Sequence, residues 1–310
     1  PPPPAPPRRP APGAEDLGRI CDGRAAPPAD PPAIPPWCRS ELARERVTVA
    51  LSGEGADGSF GGYARQRYDV GLDRLGMAGR RLLPIVLRMA GRRPSDRLQR
   101  RLRMAPGLER QLDWGRIFSA DEIDDMAVAP PVSKEAMLSP YSELAARWLE
   151  YAASDPVNGR LTTDQETFLP GDLLPKVDRM SLAHSLEVRV PYLDNEVVDL
   201  VLPLPGRLKQ SLRRDKILLR EAAADLLPPS AAARPKRGFE VPIGAWLRGP
   251  LRPAMLDLLS SETITRHGLL QPQMVGRLVD AHLGGKEDHG RALWALLVLS
   301  NWLDRGGVAA

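Results

Sequence analysis

Val47-Thr-Val-Ala-Leu51 runs directly into Ser52-Gly53-Glu54-Gly55-Ala56-Asp57. A β-branched apolar run this short reads as a strand rather than a helix. It stops at a glycine-rich, acidic loop. That pattern suits a buried strand of a parallel sheet whose C-terminal end faces a ligand. Gly53 and Gly55 permit tight turns and close backbone approach. Ser52 and the loop amides can hold ribose or phosphate oxygens. Glu54 and Asp57 set two carboxylates close together, which suits a Mg²⁺-nucleotide, an amine, or a developing positive charge. Spacing alone leaves a second reading open, a plain turn after a strand, because Gly and Asp are common turn residues.

Upstream of this strand the chain is dominated by proline. The first 36 residues hold 14 of the 33 prolines, so this head is neither helix nor central strand. A disordered or polyproline segment is expected over residues 1–32. Glu41 to Arg46 has helical character. The whole chain of 310 residues is long enough for a sizeable core, and its 43% apolar and 26% charged content is that of a globular protein. The longest apolar run, Ala292 to Leu303, is too short to span a bilayer, so no membrane partner is expected. Two cysteines, Cys21 and Cys38, exclude a disulfide scaffold, and with four scattered histidines no metal centre is expected. The absence of an apolar signal segment points to the cytoplasm.

Downstream, Arg80 to Arg110 carries ten Arg against Asp96 and Glu109. The net charge of the whole chain is +4, so the remainder is mildly acidic. A basic patch can bind nucleic acid or anionic lipid. This one lacks interleaved aromatics, so a solvated helical face is expected and nucleic acid is not. Beyond Trp114 the pattern is helical. Ser119-Ala-Asp-Glu122 and Thr163-Asp-Gln-Glu166 have capping-box form. Leu173 to Glu187 is amphipathic up to Pro191, and Asp215 to Leu227, Val275 to His282 and Arg291 to Leu303 read as further helices. One strand followed by many helices fits an α/β domain with a mostly helical C-terminal part.

Two more segments carry charge suited to chemistry. Asp172-Leu-Leu-Pro-Lys176-Val-Asp178-Arg179 continues to Glu187-Val-Arg189-Val-Pro191. These charges can be ordinary ion pairs. Arg234-Pro-Lys236-Arg237-Gly238-Phe239 can clamp a phosphate through Lys236, or be a basic surface loop.

Together, in this order, the elements resemble the synthetase domain of the asparagine synthase family. Leu51 to Tyr63, ending in Phe60-Gly-Gly-Tyr63, resembles the family's Ser-Gly-Glu-Gly-Ala-Asp element. Leu169 to Pro191, Asp215 to Arg220 and Lys236 to Pro242 match the later elements, and the likeness runs from about Ala33 to Arg305. It implies an adenine-nucleotide α-hydrolase-like α/β fold over 33–305, with a head at 1–32 and a tail at 306–310. It implies Mg-ATP activation of the aspartate side chain to β-aspartyl-AMP, which ammonia from glutamine then converts to asparagine. Ser52 and Gly53 would contact ATP, and Glu54 and Lys236 would be catalytic. Asp57, Asp178 and Arg189 would hold substrate or support the loop. A homodimer is among the expected assemblies.

Departures qualify the likeness. The family begins with a glutaminase Cys; here position 1 is Pro. The family's Ser-Gly-Gly-x-Asp-Ser pyrophosphate loop has no counterpart in the 310 residues, and Gly58-Ser59 stands where an acid usually follows Asp57. The sequence is therefore expected to be the rear part of a longer synthetase, without detectable asparagine synthesis by itself. Two alternatives stay open: a relative that adenylates another carboxylate for amide or β-lactam formation, and a non-catalytic binding protein.

Overall fold

The computed structural model describes residues 18, 29, 33–129, 139–228, 241–285 and 287–306. Helix α1 (Ile34–Arg44) corrects the expectation of no helix in the first 36 residues: Pro35-Pro36 lie in its first turn, where missing N–H groups cost nothing. It leads into β1 (Val49–Leu51) and the loop to α2 (Ala56–Phe60). Then follow α3 (Ala64–Arg74), α4 (Gly76–Met89), α5 (Asp96–Arg103), α6 (Leu108–Asp113) and α7 (Ala120–Met126). Helices α8 (Ser142–Ser154), α9 (Pro156–Glu166) and α10 (Leu174–Leu182) precede β2 (Glu187–Arg189). The rest is helical: α11 (Asn195–Val201), α12 (Gly206–Lys209), α13 (Ile217–Ala222), α14 (Ile243–Arg248), α15 (Arg252–Leu258), α16 (Ser261–His267), α17 (Pro272–Leu283) and α18 (Gly290–Asp304).

Among the described residues the sheet has two strands. They are parallel, with Val49 opposite Glu187, Ala50 opposite Val188 and Leu51 opposite Arg189. The main core lies in the C-terminal helices. Trp294, Leu293, Leu297 and Val298 of α18 are sealed against Leu247 of α14, Met255 of α15 and Val275 of α17. Trp37 of α1 and Met180 of α10 join the same cluster, which ties the elements around the strands to the helical part. Burying one such large apolar side chain contributes about 1.5–3 kcal/mol.

Several expectations need correction. β1 was expected to be buried, yet Leu51 is 74% exposed and Val49 is exposed too. A parallel strand is buried only when layers cover both faces, and the described elements do not cover β1. The amphipathic reading of Leu173 to Glu187 spans two elements. Helix α10 ends at Leu182, Ser185 takes a left-handed turn, and Glu187-Val-Arg189 pairs with β1. The alternation at 187–190 was the missed strand signal. Ser119 does close a capping box with Glu122, but Thr163 lies inside α9, its hydroxyl donating to Gly159 O at 2.8 Å. The cap of α9 is Asp155, which accepts from the Val157 and Asn158 amides ahead of Pro156.

The arginine-rich stretch is not a uniformly solvated face. Arg110 is fully buried and Arg101 is buried. Arg110 donates to Asp69 at 2.7 and 3.1 Å and to Asp73; Arg160 of α9 donates to Asp69 at 2.8 Å and also to Asp73. Trp114 Nε1 adds a bond to Asp69 at 3.1 Å. Arg101 binds Asp113 at 2.8 Å and lies 4.0 Å over the Trp114 ring. This network fastens α3 to α6 and α9. The proline-rich head, apart from Gly18 and Ala29, falls outside the described residues.

Candidate active site

The site starts where the two strands end. Ser52 N donates to Arg189 O at 2.8 Å, which continues the parallel ladder by one bond beyond Leu51. That bond aims residues 52–55 off the C-terminal edge of the sheet. Glu54 N points at Ser52 Oγ at 3.4 Å, a weak bond that curls the loop back on itself. Gly55 has φ of 87°, and a Cβ there would sit 2.4 Å from Leu193 side-chain atoms. Only glycine fits both the conformation and the space. The chain then enters α2, with Asp57 in its first turn.

Asp57 is anchored rather than free. Lys216 Nζ lies 2.9 Å from Asp57 Oδ1, and Lys216 N donates to Gly61 O at 3.3 Å. Lys216 itself takes φ of 46°, unusual for a non-glycine residue, in order to make both contacts. Buried Gln210 donates to Gly61 O at 2.8 Å. Gly62 N donates to Asp57 O at 2.8 Å, and a Cβ on Gly62 would collide with Asp57 Oδ1. The segment Ser52 to Tyr63 is thus pinned from α12 and from the turn before α13.

Tyr63 sits in the field of this loop. Burial first, then the negative charges of Asp57, Glu54 and Asp164, push its hydroxyl well above the ordinary phenol range, against the nearby Arg65. The phenol therefore stays protonated and can donate a hydrogen bond at any physiological pH. Arg65 stacks over Tyr63 at 4.4 Å and Phe168 at 4.0 Å, and binds Asp164 at 2.9 Å. Phe168 leads into the π-helical turn Leu169–Leu173 and α10, the elements preceding β2.

The structure brings some expected site residues together and not others. Ser52, Gly53, Glu54 and Asp57 share one loop, and Arg189 is joined to it through its backbone. The Arg189 side chain turns to Glu187 at 2.7 Å and is exposed. Asp178 is exposed on α10, and Lys176 pairs with Asp172 at 3.1 Å one turn away. Lys236 lies outside the described residues, with the rest of its basic loop. Tyr63, Lys216 and Gln210 were not singled out by sequence reasoning. The Asp215-Lys216 pair was visible as a motif, but nothing local signals a salt bridge to Asp57, far away in the chain. No group of three His, Cys, Asp or Glu placed to hold a metal ion occurs among the described residues. Two cavities, of about 760 and 1320 Å³, open elsewhere; their walls do not include Ser52, Gly53 or Glu54.

Comparison with known proteins shows the family. The asparagine synthase family model matches residues 10–304. Asparagine synthetase [glutamine-hydrolyzing] 1 of Bacillus subtilis is 31% identical over 283 residues, covering 89% of this chain and 43% of that protein. A putative asparagine synthetase [glutamine-hydrolyzing] of Mycobacterium tuberculosis (strain H37Rv) is 34% identical over 288 residues, 89% of this chain and 42% of its own length. A carboxyethyl-arginine beta-lactam-synthase of Streptomyces clavuligerus is 37% identical over 95 residues, 31% of this chain. The chain thus spans less than half the length of the first two relatives. A match over nearly the whole chain, on a molecule whose Ser52–Tyr63 loop is built in place, settles the lineage: the chain belongs to the asparagine synthase family.

Proposed function

We propose that this chain supplies part of the ATP-dependent amidating machinery of an asparagine synthetase, without completing the reaction by itself. One observation supports the reading above others: the Ser52-Gly-Glu-Gly-Ala-Asp57 loop stands at the C-terminal end of two parallel strands, in a chain of this family. That position is where open α/β sheets bind their ligands. We take the underlying domain, at 33–305, as an adenine-nucleotide α-hydrolase-like fold, with 1–32 a head and 306–310 a tail.

The residues divide the work as follows. Ser52 and the exposed Gly53 amide contact ATP. The aspartate side-chain carboxylate attacks the α-phosphorus; the bond to the β-phosphate oxygen breaks and pyrophosphate leaves. Ammonia derived from glutamine then adds to the acyl carbon of β-aspartyl-AMP. Glu54, a half-buried carboxylate, takes a proton from the attacking nitrogen, and AMP departs. Lys236 offsets charge on the phosphates. Lys216 fixes Asp57 and the loop, so Asp57 acts as support. Asp178 holds the ammonium end of the substrate and Arg189 its carboxylate end. Mg²⁺ at nucleotide sites needs only one or two carboxylates beside the phosphates. Mg²⁺ would come with the nucleotide and screen phosphate charge there, since no group of three His, Cys, Asp or Glu among the described residues is placed to hold a metal ion. The cytoplasm is the compartment this biosynthetic role calls for.

Calorimetry with Mg-ATP on the chain tests the reading. Saturable heat is expected, lost in Gly55→Val. A chain that gives no saturable heat is a scaffold, and the proposal fails. Because no Ser-Gly-Gly-x-Asp-Ser string occurs in the 310 residues, the chain supplied with aspartate, ammonia and Mg-ATP is expected to release no measurable AMP and pyrophosphate. Robust turnover would show that the pyrophosphate loop is dispensable.

A further inference from the structure

Apart from exposed Arg103, the arginines from Arg74 to Arg110 fall into two populations. Arg80, Arg97, Arg100, Arg101 and Arg110 turn inward, onto Met104 O, Ile117 O, Asp113 and Asp69. Arg74, Arg81, Arg88, Arg92 and Arg93 are exposed and make no ion pair among the described residues. No Asp or Glu occurs from Arg74 to Arg93.

Helix α4 lies within this second group, and its polarity is inverted. Ala78, Leu82, Ile85, Val86 and Met89 fall at i, i+4, i+7, i+8 and i+11, so they form one stripe along the helix. That stripe faces solvent. Leu82, Ile85 and Val86 are each more than half exposed and Met89 is 84% exposed, while the buried residue of α4 is Arg80. Arg81 and Arg88 stand beside the stripe, about 40–60° round the helix from Ile85. Pro84 inside the helix removes one backbone donor on the side away from the stripe, so the apolar surface stays continuous.

We propose that α4 docks flat on an anionic lipid surface. The stripe enters the boundary between headgroups and acyl chains. Arg81 and Arg88 meet lipid phosphates alongside it, and Arg74, Arg92 and Arg93 meet them at its two ends. An apolar stripe edged by arginine and free of acids is the pattern of an interfacial helix. The 14 residues of α4 are too few to span, and no helix among the described residues is long and apolar enough to cross a membrane. The expectation of no membrane partner and of a solvated arginine face is revised here on one observation, the exposed apolar stripe beside the arginines. Two other occupants fit less well. A second copy of α4 would bring two arginine-edged stripes onto one seam, which like charge opposes. A nucleic acid would neutralise the arginines but leave Leu82, Ile85 and Met89 in water.

Vesicle sedimentation of the full chain tests this, with phosphatidylserine–phosphatidylcholine and pure phosphatidylcholine vesicles at low and high salt. The chain should pellet with the anionic vesicles, remain in solution with the neutral ones, and dissociate as salt rises. Leu82→Glu/Ile85→Glu should weaken binding by at least about tenfold, and Arg81→Gln/Arg88→Gln by a similar factor at low salt. All four positions are exposed, and circular dichroism checks that each variant keeps its helices. Failure to pellet with anionic vesicles, equal binding to neutral ones, or unchanged binding of both variants would overturn the proposal. So would light scattering that shows a dimer abolished by Leu82→Glu/Ile85→Glu with no vesicle binding, or a salt-sensitive mobility shift on RNA without it.

Discussion

Asp69 offers the sharpest test of how α3 is held behind the loop. Its carboxylate is about 1% exposed and receives Arg110, Arg160 and the Trp114 indole. Asp69→Asn keeps the shape and deletes the charge. Arg110 is then fully buried and Arg160 nearly so, with only the partly exposed Asp73 to face two guanidinium groups. Breaking a buried pair in this way costs about 3–5 kcal/mol, because it leaves an uncompensated buried charge. At roughly 2–4 °C per kcal/mol for a chain of this size class, the melting temperature should fall by about 6–20 °C. Urea titration at neutral pH, followed by tryptophan fluorescence and circular dichroism, gives the free-energy difference.

The pH dependence supplies an independent check. Burial acts to raise the Asp69 pKa, but the Arg110 hydrogen bonds and the charges of Arg160 and Arg110 hold it below the ordinary carboxylate range. The folded value is depressed, so the stabilisation is complete above the unfolded value near about pH 4 and is lost as pH falls through the folded value. The gap between parent and Asp69→Asn should therefore be flat from pH 8 to about pH 5 and close only in stronger acid. A loss below about 1 kcal/mol, or a gap that closes between pH 8 and 6, would refute the claim that this network carries charge in a dry interior.

Three further outcomes follow from single positions. Gly55→Ala meets Leu193 and a positive φ, so it should destabilise by about 1–3 kcal/mol and abolish Mg-ATP heat; Gly58→Ala, in α2 with nothing within 4 Å of the new Cβ, should stabilise by about 0.5–1 kcal/mol. Chemical denaturation of the pair decides it, and equal signs would sink the loop geometry. Lys209 is buried, with Asn158 Oδ1 at 2.8 Å and Leu202 O at 3.0 Å, and burial lowers its pKa to about 8 despite Asp155. Its folded value is depressed, so the cost of burying the charge is present below pH 8 and relieved as pH rises towards the unfolded value near about 10.4. NMR of ¹⁵N-labelled lysine should show one ammonium titrating near 8, absent in Lys209→Met. Burial also lowers the His282 pKa, against its bond to Gly244 O at 3.1 Å; His289 N donates to Nδ1, so Nε2 carries the proton. The neutral ring is the folded form, so stability should decline as pH drops below about 6.5, and His282→Gln should flatten that slope.

The shape of the loop was legible because it is local. Ser52-Gly-Glu-Gly-Ala-Asp57 after a β-branched run specifies a strand and a turn within eleven residues. Helix α18 was legible for the same reason, its apolar residues recurring on nearly every side. What the sequence concealed is non-local. β2 hides inside an amphipathic run whose helical and strand periodicities overlap at Leu182 to Val188. Its partner lies well over a hundred residues upstream, and register with β1 is a tertiary fact. Lys216 is similar: a lysine beside an aspartate reads as a surface pair, yet it crosses to Asp57 from a left-handed backbone.

The arginine stretch shows where composition misleads most. Ten arginines in a short segment suggest one solvated face, because a lone guanidinium is costly to bury. The cost vanishes when acids elsewhere in the chain are folded onto them. Asp69 and Asp73 on α3 and Asp113 at the end of α6 do this, and none is marked in sequence as a partner. Once half the arginines are consumed inside, the other half no longer balances anything within the fold. All of them but Arg103 gather instead around an apolar stripe that faces outward. The net charge of the segment thus separates into an internal lock, which holds α3 behind the Ser52–Tyr63 loop, and an external edge on α4. Charge reversal at Arg81 and Arg88 should leave unfolding by urea unchanged, whereas Arg110→Leu should not. That contrast follows from which carboxylates each arginine meets, and sequence position alone does not distinguish them.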